Sequence, residues 1–131
     1  MTILARNIVN TYMNFVAKGY DVVVLSRSEG ELSDCVRYVW WDGANLDAWA
    51  NEIDGADVVI NLSGRSINCR YTKKNRQQIY DSRENSTQVV GEAITQAKEP
   101  PRVWLNASAA TIYRHSLDRD MDEATGELQY V

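Results

Sequence analysis

Tyr20-Asp21-Val22-Val23-Val24-Leu25, running into Ser26-Arg27-Ser28, is the stretch on which the fold turns. A β-branched run with no polar alternation reads as a strand buried on both faces, as in the middle of a parallel sheet. Gly19 precedes it and the polar Ser-Arg-Ser follows, so both ends are marked. Working outward, residues 57–62 (DVVINL) form a similar run, entered from Asp54-Gly55 and left at Ser63-Gly64. Residues 36–41 (VRYVWW) carry aromatics suited to a half-covered edge strand, and residues 102–107 (RVWLNA), introduced by Pro100-Pro101, make a further strand. Helical stretches lie between. Over residues 7–16 Ile8, Val9, Tyr12, Met13 and Val16 share one stripe, with Gly19 placed to stop the helix. Residues 46–53 read as a short helix. Residues 73–97 read as a long one, with Ile79, Val90, Ala93, Ile94 and Ala97 on its buried side.

Helices alternating with strands predict an α/β domain with a parallel sheet covered on both faces. Right-handed crossovers then favour the doubly wound, Rossmann-type arrangement, whose strand order 3-2-1-4-5 puts the first strand in the centre. Thr2-Ile3-Leu4 either fills that slot with very few residues or leaves two buried strands with unpaired backbone groups. With 131 residues, 44% of them hydrophobic and 24% charged, the chain is sized and composed as one globular unit. Fourteen basic against 18 acidic residues give a net charge of −4, which does not favour nucleic acid as a partner. The basic Lys73-Lys74-Asn75-Arg76 reads as a solvated helix face. Apolar runs such as residues 22–25 and 58–60 are far short of a membrane span, and the first residues lack the pattern of a secretory leader. Cys35, Cys69 and the single histidine, His115, support neither a disulfide framework nor a zinc site. A cytoplasmic protein with inert thiols and no metal is the expectation.

Three strand ends carry the candidate chemistry. The end of the second strand in this fold meets the adenosine ribose, where an acidic residue would bind the 2′-hydroxyl. Here Ser26-Arg27 stands in that place, and a guanidinium pairs with a 2′-phosphate instead, which favours NADP over NAD. Asn61-Leu62-Ser63-Gly64 ends another strand, with a glycine that lets backbone approach a ribose or pyrophosphate. Asn106-Ala107-Ser108, followed by Tyr113, offers a hydroxyl and a phenol that could polarise a substrate carbonyl and pass a proton. The bland alternatives are a solvated arginine, a plain strand-ending turn and a packing tyrosine.

The run INLSGRSINCRYTKKNRQQIYDSRENSTQVVGEAI, then WLNASAATIY and MDEATGE, resembles one branch of the extended short-chain dehydrogenase/reductase superfamily. That branch is the NAD-dependent epimerase/dehydratase-like group of epimerase family proteins, some carrying a cell-division-inhibitor description. The resemblance covers most of residues 7–127, and Asp81-Ser82-Arg83 is its most specific part. It implies a Rossmann sheet, a nicotinamide dinucleotide and a small-molecule substrate. Its site would use Ser26, Arg27, Leu62, Ser63, Gly64, Arg83 and Ala107 for the cofactor, and Ser108 and Tyr113 for catalysis.

The departures set the functional expectation. Such a fold places a glycine-rich turn after its first strand, whose amides cradle the pyrophosphate. Here Leu4 passes directly to Ala5-Arg6-Asn7, and the first glycine of the chain is Gly19. No tyrosine is followed four residues on by lysine, the usual proton-transfer pair of the superfamily. The resemblance also leads one to expect a sixth strand and a substrate domain beyond Val131. Residues 1–131 therefore read as a partial NAD(P)-binding domain, a fragment inactive alone, with its first strand shortened. An alternative is a degenerate scaffold that binds no cofactor and associates through exposed sheet edges.

Overall fold

The structure is a computed structural model and describes residues 2–4, 9–28, 36–108 and 113–128. Its strands are β1 (Thr2–Leu4), β2 (Val22–Ser26), β3 (Val36–Trp40), β4 (Val58–Asn61) and β5 (Val103–Asn106). They form one five-stranded sheet in the order β3-β2-β1-β4-β5, parallel throughout. Three residues suffice for the central position: Ile3 lies in register with Val24 on one side and Ile60 on the other. β1 thereby supplies pairing that β2 and β4 would otherwise lack along their inner edges. The segment where a glycine-rich turn would sit, residues 5–8, lies outside the described residues.

Alternation along β2 divides the core between two faces. Val23 and Leu25 join Trp41, Trp49, Ile53 and Val59 under Val89, Val90 and Ala93 of helix α2 (Lys73–Gln96). Val22 and Val24 point the other way, to Tyr12, Val36 and the partly buried Phe15 and Val16, with helix α1 (Val9–Ala17) covering that side. An all-apolar strand is what a sheet with helices on both faces requires. α1 ends as the sequence indicates: Gly19 has φ 81°, its amide donates to Val16 O (2.9 Å), and the Tyr20 amide donates to Phe15 O (3.1 Å). Both bonds satisfy carbonyls that the helix end leaves free.

Two elements differ from expectation. The short helix is a single 3₁₀ stretch, Ala48–Glu52, which Asp47 starts by accepting the Ala48 amide. Trp49 anchors it by donating its indole N–H to Asn45 O (2.8 Å), and Arg37 of β3 clamps Glu52 through both guanidinium nitrogens (2.6 Å each). Few residues are available there, so the tighter turn suits the space between strand and helix. On α2 the fully covered positions are Ser86, Val89, Val90 and Ala93, whereas Ile79 is only half-buried. The helix overhangs the sheet at its first turns, toward the cleft described next.

Candidate functional site

Parallel strands bring their carboxyl ends to one edge, and the crevice there is where such sheets take ligands. A cleft of about 510 Å³ opens at that edge. Leu25, Ser26, Arg27 and Ser28 line one side of it, and Trp41 to Ala44 a second. Ser63 to Arg65 face the side chains of Gln78, Asp81, Ser82, Asn85 and Ser86 on α2. Four of the residues singled out in the sequence, Ser26, Arg27, Ser63 and Gly64, thus share one wall-to-wall space.

Local chemistry shapes each wall. The Ser26 hydroxyl accepts the Ser28 amide (3.2 Å), which turns the chain directly after β2 and leaves Arg27 on the cleft. Arg27 makes no hydrogen bond or ion pair with any described residue. Asp42 organises the second wall, accepting the amides of Ala44 (2.8 Å) and Asn45 (2.9 Å) and the Asn45 carboxamide (2.6 Å). These donors, the Asn45 amide foremost, hold the Asp42 carboxyl below the ordinary aspartate value of 3.8. The stabilisation from this loop is present above that value and fades as pH falls through the lowered one.

The third wall is stitched to α2. Ser82 accepts the Arg65 amide at 2.8 Å while donating to Ile79 O (2.9 Å). The Arg65 guanidinium reaches Gln78 Oε1 and Asn75 Oδ1, the latter at 3.2 Å. Arg83 packs over the turn so closely that a Cβ on Gly64 would lie 2.8 Å from its Nη1. Asp81-Ser82-Arg83 therefore has a local physical meaning: Asp81 and Ser82 face the cleft, and Arg83 lies against the glycine turn.

The remaining candidates lie beside this cleft rather than on its lining. Leu62 turns to the α1 side and packs with the Tyr12–Val24 cluster. Ala107 continues the ladder by donating its amide to Asn61 O (2.8 Å), and Ser108 is exposed beyond it. Tyr113 forms an antiparallel bridge with Leu128, and its ring covers Gly126. That segment is braced by ion pairs of Glu127 with Arg114 and Arg119. Sequence reading missed Asp42, Asn75, Gln78 and Arg65 as parts of the site. Asp42-Gly43 carries a turn signal, but only the fold brings it opposite Gly64. Among the described residues no group of histidine, cysteine or acidic side chains is arranged to hold a metal. No described helix is long and apolar enough to cross a membrane.

The residues fit the adenosine half of a dinucleotide. Arg27 is a cation on the cleft with no partner among the described residues, Gly64 lines the cleft with Arg83 packed against it, and the buried Trp41 indole N–H likewise has no partner among the described residues. For the diphosphate the sequence provides no glycine between Leu4 and Gly19.

No family model matches the chain. Epimerase family protein YfhF of Bacillus subtilis is 38% identical over 119 residues, spanning 87% of this chain and 38% of that protein. Epimerase family protein SSP1921 of Staphylococcus saprophyticus is 42% identical over 88 residues, spanning 67% of this chain and 28% of its own length. Of solved structures, human epimerase family protein SDR39U1 (isoform 2) with NADPH superposes with a TM-score of 0.74 at 26% identity, over 95% of this chain and 42% of that one. Uronate dehydrogenase from Agrobacterium tumefaciens shares the fold, with a TM-score of 0.63 at 18% identity over 87% and 43% of the two chains. The chain spans well under half the length of these proteins. It has the fold of the extended short-chain dehydrogenase/reductase, epimerase-type proteins, and matches part of the length of the epimerase family proteins.

Proposed function

We propose that the cleft receives the adenosine half of a nicotinamide dinucleotide, NADP in preference to NAD. The chain is then the dinucleotide-binding part of an epimerase- or reductase-like protein, inactive by itself. The single observation that carries this is Arg27, a guanidinium on the cleft just after β2 with no partner among the described residues, where the fold meets the ribose. The human protein crystallised with NADPH supports the same preference. Arg27 and Ser26 would hold the 2′-phosphate, and Ser63-Gly64, entered through Leu62, would flank the ribose. Arg83 would add positive charge beside that turn. Ala107 and Ser108, with Tyr113, would serve the substrate side. When bound, the nicotinamide supplies hydride transfer. Without glycine amides to cradle the diphosphate, binding is weak and chemistry does not follow.

Calorimetric titration of the whole chain with NADP, NAD and adenosine 2′,5′-bisphosphate tests this reading. The bisphosphate and NADP are expected to bind and NAD to bind more weakly. Arg27→Ala is expected to erase the preference, a loss of about tenfold or more for a charge-assisted contact. No binding of either 2′-phosphorylated ligand at millimolar concentration would refute it.

A second reading has its own observation. β5 is an outer strand, and Val103, Trp104 and Leu105 are 44%, 39% and 53% exposed. A free strand edge with apolar residues pairs readily with another chain, so the scaffold would act by association.

A further inference from the structure

We infer that Asn61 and Asn106 form a positioning pair that couples the Ser63–Gly64 turn to the Ala107–Ser108 turn. The inference rests on the reading above, in which the first turn flanks the dinucleotide and the second faces the substrate. The two asparagines are register partners at the last position of β4 and β5. Asn61 is 2% exposed, and a buried carboxamide is costly unless its donors and acceptors are used. It uses them across both turns. Its Nδ2 donates to Asn106 Oδ1 (2.8 Å), and its Oδ1 accepts the Ser63 amide (3.0 Å). Its backbone oxygen accepts the Ala107 amide (2.8 Å). One residue thus grips the first amide of each turn's polar segment. Helix α2 joins the pair, since the Thr87 hydroxyl also donates to Asn106 Oδ1 (3.2 Å).

The pair has a direction. Asn106 Oδ1 accepts from both Asn61 and Thr87, so a carboxylate in its place keeps both bonds and gives up only the long donation of Nδ2 to Ala107 O (3.5 Å). Asn61 serves as a donor toward Asn106, so aspartate there would set two oxygens against each other. A generic need for polarity at the sheet edge would not distinguish the two substitutions.

The test compares N106D, N106L and N61D with the unaltered chain by amide hydrogen exchange and by amide shifts during NADP titration. Without ligand, exchange of the Ser63 amide is expected to quicken about tenfold in N106L and N61D and to stay unchanged in N106D. With NADP, the Ser63 and Ser108 amides are expected to respond together in the unaltered chain and in N106D. In N106L the Ser108 response is lost while Ser63 still responds. Equal behaviour of N106D and N106L, or an N106L chain with unchanged Ser63 exchange, overturns the pairing. If N61D does not fold, N106L on the exposed edge strand still decides. Absence of NADP binding in the unaltered chain would remove the cofactor reading alone, because the ligand-free exchange measurements judge the pair independently.

Discussion

Gly64 shows how one atom decides between ligand and side chain. A methyl at this position meets the Arg83 guanidinium, the far end of a flexible side chain, so the arginine swings aside and the backbone stays put. Gly64→Ala is therefore expected to change the thermal midpoint by no more than about 4 °C, a cost near or below 1 kcal/mol. Affinity for NADP should drop about tenfold as Arg83 leaves the turn. A fall in midpoint with unchanged affinity would show the contact to be packing alone. At this scale the sequence points to Arg27, Ser63 and Gly64 as strand-end residues, and the structure sets all three on one cleft because parallel strands bring their carboxyl ends to one edge. Asp42 was not legible: its role comes from three donors gathered on one carboxylate by a turn. Leu62 follows from the same strand geometry, since its neighbours alternate faces and its side chain joins the α1 core.

Among the elements, β1 bears the greatest demand. It has three residues, yet it pairs on both sides, while the outer strands pair on one. Proline at Ile3 would remove an amide from the centre of the sheet and leave a buried carbonyl on a neighbouring strand without its donor, a loss of about 1–3 kcal/mol. Against a net stability of about 5–15 kcal/mol, Ile3→Pro is expected to sharply lower the cooperative melting transition, followed by circular dichroism. A transition like that of the unaltered chain would mean that the sheet does not depend on β1. The helices were read correctly where a residue type sets the boundary: Gly19 closes α1 through its positive φ. Thr72 opens α2 by accepting the Asn75 amide at 3.2 Å. The 3₁₀ stretch was read as a helix because periodicity over a few residues cannot tell the two apart.

For the whole molecule, the outer strand β5 is the edge at which association would occur. Exposed Val103, Trp104 and Leu105 on the outermost strand of the sheet, with no strand beyond it among the described residues, favour strand addition. If association is the function, sedimentation equilibrium should show mass rising with concentration, and Leu105→Lys should return the chain to a monomer. A monomer at all concentrations excludes that reading and leaves the cleft as the functional feature. Pairing on both sides decided that three residues, Thr2–Leu4, fill the centre of the sheet, while sequence alone determined the alternation of helices and strands, the parallel order and the Ser-Arg turn after β2. Each follows from local periodicity, turn residues and the handedness of crossovers. Tertiary structure decided which turns share a cleft, that Asp42 and Gln78 belong to it, and that Asn61 reaches Asn106, 45 residues away. Those contacts depend on register between strands, which pairing of the whole sheet fixes and no short stretch of sequence contains.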